Sequence, residues 1–180
     1  MNWHEELIDQ LDFYWKNQFR PRLDGLTDEE YFWEPVSGCW SVRPQPGGGA
    51  VREYAFPPPD PPPVTTIAWR LCHIGGDCFE MRASNHFGDG SYRPDRTHWP
   101  LTAADALAYV DTQYTAWRAG IEELDDEALT QPVGETEGPH AQRTYATLIL
   151  HLNRELMHHG GELGLLRDLY RAAAGRVMST

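Results

Sequence analysis

The sequence predicts an all-α protein, a four-helix bundle with a long Gly/Pro-rich insertion between its first and second helices. Three observations predict it. Four long stretches repeat apolar residues at steps of three and four, the mark of a helix with one buried face. No stretch makes a convincing sheet, and no internal repeat is present. The chain has 180 residues, 41% of them hydrophobic and 12% aromatic, which suits one globular domain over 1–180 with a core of its own.

The first helix is expected from about Trp3 to Phe19, with Asn2 as N-cap and Glu5 placed as in a capping box. Trp3, Leu7, Leu11, Tyr14 and Gln18 mark its face, and Pro21 is expected to stop it. A short helix should open at Thr27, with Glu30 closing its box. From Glu34 to Pro63 the texture changes to Gly and Pro. A hairpin of Trp40–Val42 with Val51–Phe56 is the one strand pattern there, and Pro57–Pro63 reads as a stiff spacer.

The second helix starts near Val64, capped by Thr65 or Thr66, and runs to about Asn85. Ile67, Leu71, Ile74, Cys78 and Met81 form its stripe, and His73 lies on the neighbouring line. Gly75-Gly76 costs about 1 kcal/mol per glycine against alanine inside a helix. That cost predicts the close approach of another backbone just beyond His73. After a loop from His86 to Pro100, Thr102 caps a third helix whose stripe is Leu107, Val110, Tyr114, Trp117, Ile121 and Leu124. With no polar residue on that stripe, its role is packing.

The last helix, Tyr145 to about Arg171, carries the chemistry. Its stripe is Leu148, Leu152, Leu156, Leu163, Leu166 and Tyr170, and Glu155 and His159 lie on or beside it. Four residues apart, they sit one above the other. A carboxylate and an imidazole turned inward are costly unless paired, and a divalent metal accepts both. His151, Glu155, His158, His159 and Glu162 also fit a plain polar helix face. His73 on a facing helix would give a third ligand and leave part of the coordination sphere open, as catalytic sites do. The rival pair Glu155 and His158, an E-x-x-H spacing, belongs to di-iron bundles, but the sequence holds no second copy.

Net charge is −12, which argues against nucleic acid and anionic membrane surfaces as partners. Fourteen of the fifteen basic residues are arginine, scattered along the chain. No apolar run reaches the roughly 18 residues a membrane span needs, and the N-terminal MNWHEELIDQ is not a targeting segment, so a cytoplasmic location is expected. Cys39, Cys72 and Cys78 are odd in number and form no CxxC, which suits buried thiols in a reducing compartment.

NQFRPRLDGLTDEEYFWEP, WRLCHIGGD and NRELMHHGGELGLLRDLY carry a family likeness. Through them the chain resembles the DinB-like superfamily, which includes the mycothiol-dependent maleylpyruvate isomerase N-terminal domain and the bacillithiol S-transferases. The resemblance implies a four-helix bundle, often a homodimer, that binds zinc or nickel. It maps the ligands onto His73, Glu155 and His159, more like the mycothiol-dependent branch than the three-histidine branch, and gives His158 no role. The expected activity is a metal-dependent transferase using a low-molecular-weight thiol, mycothiol-like, on an electrophilic small molecule. A thiol-dependent isomerase and a non-catalytic metal-binding stress-response protein are the alternatives. Arg70 and Arg154, close in sequence to the expected ligands, are candidates for holding an anionic group. The loops of Trp40 and Trp99 are expected to cover the mouth. The 34–63 insertion departs from a minimal bundle of this kind.

Overall fold

The protein is described from a computed structural model that covers residues 2–93 and 98–177, with side chains through 175. Residues 94–97 of the expected His86–Pro100 loop lie outside the described part. The structure is mostly helical, with one small two-stranded sheet.

Helix α1 spans Trp3–Tyr14, and Asn2 accepts from the Glu5 N–H at 3.4 Å. It continues through a π-helical segment, Trp15–Phe19, into α2, Arg20–Arg22. Pro21, expected to stop the helix, sits inside it. Proline has no N–H and crowds the carbonyl four residues back. The turn just before it is widened, the Arg20 N–H reaching back to the Trp15 carbonyl, which relieves that crowding. Widening also rotates the buried face. Leu7, Ile8, Leu11, Trp15 and Phe19 are buried, while Trp3 and Gln18, expected on the stripe, are exposed.

Thr27 caps α3, Asp28–Tyr31, by accepting from the Glu30 N–H at 3.2 Å. Strands β1, Val42–Pro44, and β2, Ala50–Arg52, pair antiparallel with Arg43 opposite Val51. The expected hairpin is therefore present but displaced toward its turn. Trp40 leaves it to pair elsewhere, donating to the Val64 carbonyl and accepting from the Thr66 N–H, both at 2.9 Å.

The second long helix comprises α4, Ile67–Cys72, a π-helical segment, His73–Glu80, and α5, Met81–Phe87. Thr66 is its cap, accepting from the Trp69 N–H at 3.2 Å. The close approach at Gly75-Gly76 is real, but side chains make it rather than a backbone. A Cβ on Gly75 would lie 2.5 Å from Tyr109 Cε1, and one on Gly76 would lie 2.6 Å from Trp99 Cη2. Helix α6, Ala103–Glu122, is capped by Thr102 and packs along this π-helical segment. Its Val110, Tyr114, Trp117 and Ile121 are buried, as the stripe predicts. Tyr114 stacks on Trp15 with ring centroids 3.8 Å apart.

Helix α7, Tyr145–Val177, runs past the expected end at Arg171, through Ala172–Gly175. It packs on α1, α4 and the His73–Glu80 segment. Among the described residues no helix is long and apolar enough to cross a membrane.

One buried contact ties α7 to the chain before the hairpin. Arg167, 1% exposed, donates through Nε and Nη2 to the Glu30 carboxylate at 2.7 and 2.9 Å, and through Nη1 to the Arg22 and Asp24 carbonyls. Glu30 thus does not close the expected capping box; its carboxylate is turned inward. Removing one member of a buried pair leaves the other charge stranded. Glu30→Gln is expected to destabilise the protein by about 3–5 kcal/mol in urea unfolding. The double change Glu30→Leu with Arg167→Met should recover most of that loss. A single-variant loss below about 1 kcal/mol would mean the pair is solvated.

Candidate metal centre

His73 begins the π-helical segment, and Glu155 and His159 stand one turn apart on α7, which packs against it. Their donor atoms, one per residue, all lie within 4.8 Å of one another. Glu155 Oε2 is 3.2 Å from His159 Nε2 and 3.9 Å from His73 Nε2. The two imidazoles meet edge to face, centroids 4.8 Å apart. All three predicted ligands are therefore together, with their reactive atoms facing one another.

Each outer imidazole nitrogen faces a further carboxylate. His73 Nδ1 is 2.9 Å from Asp77 Oδ2, four residues on along its own helix. His159 Nδ1 is 2.7 Å from Glu162 Oε2, three residues on. Each Nδ1 also faces a guanidinium, Arg70 Nη1 at 3.0 Å from His159 and Arg52 Nη1 at 3.4 Å from His73, so each outer nitrogen stands between a carboxylate and an arginine. A carboxylate on the far nitrogen is the usual way of fixing a metal-binding imidazole.

These carboxylates are held in turn. Arg52 Nη2 pairs with Asp77 at 2.6 Å, and the Tyr92 hydroxyl donates to Asp77 Oδ1 at 3.0 Å. Arg70 donates to Glu162 at 3.1–3.2 Å. The Arg52 guanidinium lies between Trp69 and Trp99, 5.1 and 5.0 Å from their ring centroids. Trp69 also stacks on His73, and Trp40 leans on Trp69 with centroids 6.2 Å apart.

The charges follow this wiring. A hydrogen bond with His73 holds the Glu155 carboxyl down at about 2, against burial, with His151 and His159 adding to the pull. Burial pushes Asp77 up, but its bond to His73 and the Arg52 charge outweigh this and leave it at about 2. Burial also opposes charge on His73, yet its contacts with Asp77, Cys78 and Glu155 raise it well above the ordinary range. His159 is lowered, first by burial and then by the charges of His73 and Arg70, with Glu162 opposing.

The four weaker sequence candidates fall in different places. Arg70 braces Glu162 and His159. Arg154 points the other way along α7 and donates to His151 Nδ1 at 2.9 Å. Trp99 is buried against Gly76 and Arg52, a wall of the site. Trp40 is half-buried and one ring further out. His158 is exposed and touches the site through Glu162 at 3.5 Å and through the His159 ring, centroids 4.9 Å apart. It completes a second possible group with His159 and Glu162, but that group uses the same imidazole. Cys78 is buried, with its Sγ 3.9 Å from His73 Nε2.

Sequence reasoning missed Asp77, Glu162 and Arg52 as parts of the site. The first two were findable, since i+4 and i+3 spacing from a candidate ligand puts a carboxylate within reach. Arg52 comes from the hairpin, and no spacing rule connects it to His73.

With fold and geometry in place, the likeness noted from the sequence can be stated as membership. The chain belongs to the DinB superfamily, whose family model matches residues 10–163. No curated protein and no solved structure matches it.

The outer carboxylates give a direct test of the arrangement. Asp77→Asn and Glu162→Gln should each weaken binding of a divalent cation by about 10–100-fold, measured by competition with a chromogenic chelator, with helicity unchanged. Unaltered affinity in both would mean that these carboxylates do not orient the imidazoles.

Proposed function

We propose that the protein is a metal-dependent thiol S-transferase, with zinc or nickel held by His73, Glu155 and His159. The observation that carries this reading is the convergence of the His73, Glu155 and His159 donor atoms within 4.8 Å of one another. A neutral imidazole has one N–H, and His159 faces a carboxylate at each nitrogen, 2.7 Å away at Nδ1 and 3.2 Å away at Nε2. With the proton on Nδ1, the Nε2 lone pair meets the Glu155 oxygen, a contact that a cation near both relieves; with the proton on Nε2, Arg70 Nη1 serves the Nδ1 lone pair at 3.0 Å. A second proton is disfavoured, because burial and the His73 and Arg70 charges act against it. A metal cation relieves the contact, and two imidazoles with a carboxylate form a donor set that zinc and nickel accept. Both imidazoles bind a metal only through an unprotonated nitrogen, so the metal competes with protons there.

A metal so held supplies one thing, a lowered pKa for a coordinated thiol, which otherwise stays mostly protonated at neutral pH. The chain supplies the rest. Asp77 and Glu162 orient the imidazoles. Arg52 and Arg70 hold those carboxylates in place. The ring wall of Trp69 and Trp99 keeps water from one side. Superfamily membership supports a thiol as co-substrate, since the characterised relatives known by resemblance transfer low-molecular-weight thiols or isomerise with one. Three protein ligands leave room for that sulfur. We also read the four long helical stretches as one domain, a four-helix bundle of DinB-like topology. In it 34–63 is an insertion, and a homodimer is its expected assembly. No nucleic acid or membrane partner is proposed.

The test is consumption of monochlorobimane by the metal-loaded protein with a panel of low-molecular-weight thiols, mycothiol included. Thiol-dependent consumption, abolished in His73→Ala, is expected. Absence of turnover with every thiol, together with no thiol-dependent change at the bound metal, would leave a metal-binding protein without catalysis.

A further inference from the structure

A cavity of about 300 Å³ opens where Arg82, the Glu135–His140 turn and the start of α7 meet. Its walls come from α5, the Glu135–His140 turn and the first turns of α7. In a chain of net charge −12, three of fourteen arginines line it, Arg82, Arg143 and Arg154, together with His140 and His151. Val133 and Leu148 add an apolar patch.

The charges there are not balanced. Glu137 is the one carboxylate among the described lining residues, and it is already committed. Arg82 holds it with two bonds at 3.1 and 3.2 Å, and His86 Nε2 lies 3.0 Å from its other side. Arg82 is in turn pinned to the Asp77 carbonyl. Among the described residues, Arg154 meets the His151 ring at 2.9 Å, and neither Arg154 nor Arg143 pairs with a carboxylate. Two guanidinium groups thus face the cavity without an anion of their own.

The walls are preformed. Val133 donates to the Arg143 carbonyl at 2.8 Å, Gly134 to the Ala141 carbonyl at 3.0 Å, and Arg143 to the His140 carbonyl at 2.8 Å. The cavity also adjoins the metal ligands. His151 lines it, and its Nδ1 lies 3.5 Å from Glu155 Oε1.

We propose that this cavity seats the anionic group of the small-molecule substrate, a carboxylate or related oxyanion on a small apolar body, held by Arg143 and Arg154 beside the metal ligands. Planar guanidinium forks suit such oxyanions, and Val133 and Leu148 suit the apolar body. Calling this anion a substrate rests on the thiol-transfer reading. The binding itself needs no metal, since no proposed ligand lines the cavity.

The experiment is calorimetric titration of the protein, as purified and after chelation, with benzoate, phenyl phosphate and neutral benzamide. One saturable site for either anion is expected in both preparations, with none for benzamide. A preference between benzoate and phenyl phosphate tells which oxyanion the site favours. Arg143→Met and Arg154→Met should each weaken it about tenfold or more, and Arg118→Met, on α6, should not. Both cavity arginines are exposed, so the fold should survive, which circular dichroism checks. Failure of both anions to saturate, or unchanged affinity in both arginine variants, overturns the proposal. Thiol turnover without anion binding would sink this assignment alone. Anion binding without turnover would sink the transferase reading alone and leave the anion site standing.

Discussion

Everything at the candidate site depends on the crowding of three carboxylates around two imidazoles. A buried imidazole, His159, and a half-buried one, His73, share three carboxylates, Asp77, Glu155 and Glu162. Two arginines, Arg52 and Arg70, answer part of that charge from outside. Glu155 Oε2 and His159 Nε2 face each other at 3.2 Å, with His73 Nε2 3.9 Å from the same oxygen. Three donor atoms so close together suit a cation among them.

The fold is arranged to keep those groups in place. The π-helical segment that begins at His73 is a local departure from the α-helix, of a kind that often accompanies function. Gly75 and Gly76 let Tyr109 and Trp99 close against it. Trp99 then supports Arg52 from below, and Arg52 fixes Asp77. The hairpin within 34–63 thus lends an arginine that the helices lack at that point. On the opposite flank Arg167 and Glu30 clamp α7 to the segment before the hairpin.

The helical core was largely legible in the sequence because apolar spacing survives tertiary packing. Val110, Tyr114, Trp117 and Ile121 are buried as their stripe requires, and Thr27, Thr66 and Thr102 cap as expected. The errors have physical causes. Gln18 was misplaced because a π turn before Pro21 breaks the 3.6-residue phase, and Trp3 because it is the first residue of the helix, beyond the packed face that Leu7 and Leu11 begin. Glu30 looked like a capping-box residue because local spacing hides a partner 137 residues away. His73, Glu155 and His159 were readable as a set because two share a helix face and the third stood on a second helix with the right residue type. Arg52 and the arginine-lined cavity were not, since both join segments distant in the chain.

The most direct measurement is the metal content of the purified protein by plasma mass spectrometry, beside a Glu155→Ala, His159→Ala double variant. The convergence of His73, Glu155 and His159 predicts about one equivalent of a divalent metal per chain in the parent. It also predicts loss of that metal in the variant with helicity retained. No metal in either protein, even after incubation with zinc and nickel, would contradict the account and make the cluster a polar helix face.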